Sequence, residues 1–254
     1  MDLPNKELRS PKELPIGVDN YKEIIDEKRI YIDKTLLIKE FWDAGSKVTL
    51  ITRPRRFGKS ITLSMLRYFF EKTDQSTTYL FENSQIWQYE EFQKLQGTYP
   101  VIFISFKDIK AETWKESYLE LQELLANEVR RTLKPLLSTM ADDYKVLCQA
   151  LINQTATEVG FNGSLAFITK VFKECLGLKT IILIDEYDTP ITNAYMHNYC
   201  KEMTDFMRQL PSKALKGNEH LEKALMTGVV RTAKDDILSG LNNPDIYTML
   251  EGAD

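Results

Sequence analysis

Hydrophobic positions along this chain change their period several times, and each change marks an element. Val48-Thr49-Leu50-Ile51, Val101-Ile-Phe-Ile-Ser-Phe106 and Thr180-Ile-Ile-Leu-Ile184 are short, β-branched and apolar at nearly every position. Runs of that kind read as strands covered on both faces, which a parallel sheet requires. Between them the apolar residues recur every three to four positions. Ile61, Leu63, Met65, Leu66, Phe69 and Phe70 place one apolar face on a helix over 61–70. Trp114 to Leu137 reads as a long amphipathic helix stopping near Pro135, and Asp142 to Gln154 as another. Ser164 to Leu176 leads through Gly177 into the third strand. Tyr195 to Leu215 reads as helical, with a kink or an end expected at Pro211. Leu225-Met-Thr-Gly228 reads as a short fourth strand.

The N-terminal region is organised differently. Lys6 to Pro15 is polar, twice broken by proline, and reads as a loose arm. Ile16 to Ile38 suggests short helices around a turn at Tyr31-Ile-Asp-Lys-Thr35. Asp33 or Thr35 is placed to cap the helix that runs to Trp42, and Gly45 to end it. Thr73 to Gly97 reads as a connecting region with a short helix near Gln88. Strands alternating with helices predict an α/β fold, three layers deep, with a mainly parallel sheet of about five strands and helices on both faces.

Chemistry enters at Thr52-Arg-Pro-Arg-Arg-Phe-Gly-Lys-Ser60, which joins the first strand to its helix. Strand, tight loop and helix, with Gly-Lys-Ser at the helix start, is the layout of a P-loop. Backbone N–H groups and the positive end of the helix cradle phosphates in such a loop. Arg53, Pro54, Arg55, Arg56, Phe57, Gly58, Lys59, Ser60 and Ile61 are therefore the expected nucleotide contacts. Lys59 would reach the β- and γ-phosphates, and the Ser60 hydroxyl would hold Mg²⁺. The usual pattern is G-x-x-x-x-G-K-[ST], and the position five before Gly58 is Arg53 instead of glycine.

About 125 residues downstream the third strand ends in Asp185-Glu186-Tyr187-Asp188. A buried strand closing on adjacent carboxylates at this distance from a P-loop reads as a Walker B strand. Asp185 would orient Mg²⁺ opposite Ser60, usually through water, and Glu186 would polarise the attacking water. The plain alternative for this segment is a core strand running into an acidic surface turn. Asp188 reads as a turn cap or as a partner of the metal ligands. In a sheet of the additional-strand (ASCE) type, Thr227 lies beside the acidic strand as a γ-phosphate sensor; otherwise its hydroxyl satisfies a local turn. Arg231 would neutralise transition-state charge in cis or in a neighbouring subunit. Adenine contact is open between Asp19, Tyr31 and Lys34, each of which simple packing would equally explain. The expected division is residues 1–44 as an arm and helical segment packing on the candidate nucleotide site, and 45–254 as the main domain that carries that site.

Composition narrows the classes. At 254 residues and 43% hydrophobic, the chain supports one sizeable core. Net charge is −4, so a nucleic-acid-coating role is not favoured; Arg53, Arg55 and Arg56 form the one dense basic cluster and read as phosphate complements. Cys148, Cys175 and Cys200, with His197 and His220, lack zinc-ligand spacing and a paired framework. No N-terminal leader pattern and no run of 18 apolar residues occurs, so the expectation is cytoplasmic, without a membrane partner.

Leu14-Pro-Ile-Gly17, Tyr31-Ile-Asp-Lys-Thr35, Thr52 to Ser60, Ile184-Asp-Glu-Tyr-Asp-Thr-Pro190, Leu225-Met-Thr-Gly228 and Ser239-Gly-Leu-Asn-Asn243 together resemble the successive motifs of the predicted AAA-ATPase-like family. The R-P-R-R-F-G-K-[ST] form is specific to that family, which makes Arg53 a family trait. The resemblance implies ATP and Mg²⁺ binding through Gly58, Lys59, Ser60 and Asp185, with Glu186 as catalytic carboxylate. It also implies continuation, in similar proteins, into a restriction-endonuclease-like nuclease region beyond Asp254, so this chain reads as a fragment or a short form. Two functions follow as expectations. One is a Mg-dependent ATPase that drives or switches an attached effector; the other is a non-hydrolysing nucleotide-gated module that sets homo-oligomerisation.

Overall fold

The first strand, β1 (Val48–Thr52), alternates its side chains between two apolar cores. Val48 and Leu50 enter one, and Ile51 packs against the other. The same division holds for β3 (Thr180–Asp185), with Ile182 and Ile184 on one face and Ile181 and Leu183 on the opposite one. A strand buried on both sides needs a helical layer above and below. The computed structural model describes residues 14–54, 56–229 and 245–248 and supplies both layers.

On one face lie α1 (Tyr21–Asp26), α2 (Leu36–Asp43), α3 (Lys59–Phe70) and α4 (Glu90–Leu95). They bury Tyr21, Phe41, Leu63, Leu66, Phe69 and Phe92 against the sheet. On the other lie α5 (Trp114–Leu133), α6 (Asp142–Ile152), α7 (Glu158–Asn162) and α8 (Ser164–Leu176). After α9 (Thr189–Met196), α10 (Cys200–Leu215) completes that layer.

β2 (Val101–Ser105), β4 (Leu221–Gly228) and β5 (Asp245–Thr248) join β1 and β3 in the order β2-β3-β4-β1-β5, every pairing parallel. β4 therefore stands between β1 and β3. Parallel pairing brings the carboxyl ends of all these strands to one edge, which is where an open α/β sheet binds ligands. Ser105 lies in register with Asp185, and Thr52 with Gly228.

Several local expectations change. Pro211 does not end its helix: α10 runs on to Leu215 with Pro211 buried inside it. Thr35 takes the N-cap position of α2, with its backbone N–H donating to Asp33 Oδ1 at 2.8 Å, but neither side chain makes a cap hydrogen bond to the helix. Their side chains instead accept the backbone N–H groups of Gln85 and Ile86, at 2.7 and 3.1 Å, and tie the start of α2 to the connecting region. The fourth strand starts four residues earlier than its apolar core, at Leu221, because Leu221 is itself buried. The segment Thr189–Met196 is helical directly after the acidic turn. Residues 1–13, Arg55, Arg231 and the Ser239 to Asn243 motif lie outside the described residues.

Candidate functional site

The loop between β1 and α3 is shaped by its glycine and its lysine. Gly58 is the N-cap of α3 at φ +76°, the left-handed region where a side chain is strained. Arg56 also has positive φ, at 70°. The turn thus points backbone N–H groups at the start of α3 outward, while Thr62 N closes the first helical turn onto Gly58 O at 2.9 Å. Lys59 is buried, and its ammonium folds back over the loop to the carbonyls of Arg53 (2.8 Å) and Pro54 (3.0 Å). Arg53, Pro54, Arg56 and Phe57 are exposed around it, and Ile61 packs beside the α3 core.

Ser60, one residue on, crosses to the acidic strand. Its hydroxyl donates to Asp185 Oδ2 at 2.6 Å, over 125 residues of sequence. Thr227, at the end of β4, donates to Asp185 Oδ1 at 2.5 Å. Asp185 is 2% exposed, and both its oxygens are held by hydroxyls from different elements. Ser60, Asp185, Thr227 and Lys59 are therefore brought together at one edge of the sheet.

Glu186 leaves the strand at φ +51°, a costly conformation for a non-glycine residue and one found most at functional turns. Its Oε2 accepts the Thr189 hydroxyl at 3.0 Å. Asp188 turns back to accept Val229 N at 2.8 Å, so it is a partner of the β4 end. Tyr187 is fully buried, and burial, with a smaller contribution from the Asp188 charge, raises its phenol well above the ordinary range. Gly228 is where these pieces meet: a Cβ there would lie 2.6 Å from Tyr187 Cε1 and 2.9 Å from Asp188 Oδ1.

Two recesses flank the loop. The larger, about 570 Å³, runs from Arg53, Phe57 and Lys59 to Leu37, Glu40 and Phe41 of α2. Lys34 borders it. The other two adenine candidates do not: Tyr31 meets Tyr21 edge to face with its hydroxyl against Met65 Sδ, and Asp19 pairs with Lys107 on the opposite side. The smaller recess, about 110 Å³, lies between α3 and β2 and is bordered by Asp19, Ser60, Ser64, Ser105, Lys107 and Asp185. The bonded Asp19 carboxylate raises the Lys107 pKa above its ordinary value, with a lesser contribution from the Asp185 charge.

Sequence reasoning missed Ser105, Gly228 and Thr189, and it expected the segment before residue 45 at this site without singling out Leu37, Glu40 and Phe41. A lone serine closing an otherwise apolar strand was the available signal for Ser105, and the glycine after Thr227 the signal for Gly228. The α2 contacts depend on tertiary packing and have no local signature. Among the described residues there is no cluster of three or more His, Cys, Asp or Glu side chains suited to a metal, and no helix long and apolar enough to cross a membrane.

Known proteins place this site in context. The chain is 27% identical over 238 residues to an uncharacterized protein in the vnfD 5' region of Azotobacter chroococcum mcd 1. That likeness takes in 93% of this chain but 41% of the relative, so the chain spans less than half the relative's length. No solved structure matches. The family model described as "Predicted AAA-ATPase" matches residues 15–238. That span takes in the loop, the acidic strand and β4, and the chain belongs to the predicted AAA-ATPase family.

Proposed function

We propose that this chain is a Mg²⁺-dependent ATPase of the additional-strand P-loop type. The 2.6 Å hydrogen bond between Ser60 and Asp185 carries the reading, because it joins the phosphate-loop helix to the acidic strand at one point. The position of β4 between β1 and β3 supports the additional-strand assignment. The donors offered at that point are all hard oxygens: the Ser60 hydroxyl, the Asp185 carboxylate, and a buried Ser105 hydroxyl with no hydrogen-bond partner among the described residues. This set fits Mg²⁺, with Ser60 and Asp185 holding it. The cation held by these residues would supply charge neutralisation at the phosphate oxygens.

In this reading Lys59 exchanges the carbonyls of Arg53 and Pro54 for β- and γ-phosphate oxygens, so its ammonium passes from neutral acceptors to anionic ones. Arg53, Pro54, Arg55, Arg56, Phe57 and Gly58 surround the phosphates. Glu186 accepts a proton from the water whose oxygen attacks the γ-phosphorus, the bond to the bridging oxygen breaks, and ADP and phosphate leave. Thr189 keeps the Glu186 carboxylate oriented, and Thr227 fixes Asp185 while facing the γ-phosphate. Arg231 is the proposed charge-neutralising group. The 570 Å³ recess is of ligand size and takes the nucleoside against α2, so the segment before residue 45 forms one wall of the site. Turnover would drive or switch an effector, such as a nuclease-like region in longer forms of the protein.

The test is nucleotide titration of wild type and Lys59→Ala, with ATP or GTP and with Mg²⁺ or EDTA. Losing the charge-assisted bonds should weaken ATP binding at least about tenfold. Equal affinity in the variant would remove the phosphate-cradle assignment. Glu186→Gln should lower steady-state phosphate release by roughly 10²-fold or more while ATP still binds. The Thr189 bond also favours a second reading, a nucleotide-gated module in which Glu186 is a fixed part of the turn. Unchanged release in Glu186→Gln, or none in wild type that binds ATP, selects it.

A further inference from the structure

Ser105 ends β2 in register with Asp185, and registered neighbours in a parallel pair point their side chains to the same face. Its hydroxyl is buried and has no hydrogen-bond partner among the described residues. Buried hydroxyls are nearly always paired, so an orphan beside a functional carboxylate asks for a ligand. Ser105 borders the 110 Å³ recess together with Ser60 and Asp185. At about 30 Å³ per water, that volume holds three or four waters. The remaining walls combine polar Asp19, Asn20, Ser64, Arg67 and Lys107 with the rings of Tyr68 and Phe103.

A small octahedral cation dehydrates reluctantly and keeps several waters. Ser60 lies on the loop side, and the recess on the β2 side of Ser60 and Asp185 would offer those waters room. Asp185 has both oxygens already engaged by Ser60 and Thr227, which leaves its second lone pairs for water and none of its geometry free to turn. A water between Asp185 and the cation needs a further partner to fix its orientation.

Resting on the ATPase reading above, we infer that Ser105 is a positioning residue for the hydrated cation: its hydroxyl accepts a hydrogen bond from the water that links Asp185 to Mg²⁺. It touches neither nucleotide nor metal. Outer-shell partners of this kind typically change metal affinity by 10- to 100-fold when removed.

The test measures ATP binding across a series of free Mg²⁺ concentrations in wild type, Ser105→Ala and Ser105→Thr. Ser105→Ala should move the Mg²⁺ midpoint up by about tenfold and leave ATP affinity in EDTA unchanged. Ser105→Thr should restore the wild-type midpoint to within a few-fold. Because the hydroxyl bonds to nothing in the described protein, Ser105→Ala should unfold at or above the wild-type temperature without ligand. A general loss of packing would instead lower that temperature and the EDTA affinity together, and would overturn the inference. An unmoved Mg²⁺ midpoint in Ser105→Ala, with wild type responding normally, overturns it while leaving the ATPase reading intact. Wild type that binds no nucleotide, or ignores Mg²⁺, overturns both.

Discussion

Thr227 and Asp185 are joined by a 2.5 Å hydrogen bond between the ends of neighbouring strands, and the backbone N–H of Glu186 points at the same hydroxyl from 3.4 Å. One fully buried side chain thereby fixes the acidic pair to β4. Removing the hydroxyl while keeping the shape, as in Thr227→Val, leaves Asp185 Oδ1 buried without its donor. Steady-state phosphate release should fall by about 10- to 100-fold, and Thr227→Ser should recover most of it. ATP affinity in EDTA should hold within a few-fold. Turnover equal to wild type in Thr227→Val would reduce Thr227 to a satisfied turn hydroxyl.

Gly228 sets the distance between β4 and the acidic turn. In Gly228→Ala the added methyl meets Tyr187 Cε1 at 2.6 Å, and Tyr187 is enclosed and cannot yield freely. Overpacking of this kind costs roughly 1–3 kcal/mol. For a chain of this size that corresponds to a melting temperature lower by about 2–4 °C for each kcal/mol, read by calorimetry. An unchanged melting temperature would show that the turn shifts at no cost.

How much of this was legible beforehand divides along a physical line. β1, β2, β3 and α3 were readable because an apolar run or a 3.6-residue period is written locally. The meeting of Ser60 with Asp185 at one edge of the sheet was readable because the loop and acidic-strand patterns carry a mechanism that requires it. Pro211 misled because a proline's missing N–H is a local penalty, while the burial of Phe206, Met207, Leu210 and Leu215 along the same helix is a tertiary gain that outweighs it. Asp33 and Thr35 had capping chemistry, but the connecting region at 85–86 claimed their side chains first. Ser105 offered only the local oddity of a serine at the end of an apolar strand. Its meaning comes from strand register with Asp185, eighty positions away, which neither neighbourhood encodes.

Alkaline stability should report on Tyr187. Its hydroxyl is buried with no hydrogen-bond partner among the described residues, and burial raises its pKa. The unfolded phenol ionises near pH 10, whereas the folded one keeps its proton at higher pH. The unfolded state therefore gains from ionisation first, and stability present below about pH 10 declines as pH rises beyond it. Tyr31, pushed up to about 12 chiefly by burial, contributes in the same direction between about 10 and 12. Tyr187→Phe should match or exceed wild-type stability at pH 7, since it removes an unpaired polar atom, and should lose less between pH 7 and 11. Chemical denaturation at the two pH values checks this; an identical decline in both proteins would remove Tyr187 from the account.

The proposed division of the site into a phosphate cradle and a nucleoside recess can be tested by filling only the latter. Leu37 is half-buried on α2 and borders the 570 Å³ recess at its α2 wall, while Lys59 borders the same recess from a different element, α3. Leu37→Trp adds bulk where the base and ribose would sit and leaves the loop's N–H groups and Lys59 untouched. ATP affinity should fall by tenfold or more, because the apolar burial that a purine gains at about 25 cal/mol per Å² is denied to it. Inorganic tripolyphosphate, which presents the same charge without a nucleoside, should bind Leu37→Trp as it binds wild type. Equal loss for both ligands would mean that the tryptophan has disturbed the loop itself. Unchanged ATP binding would move the nucleoside out of this recess and leave α2 as packing alone. The two ligands thus separate the α2 wall from the Lys59 cradle without relying on turnover.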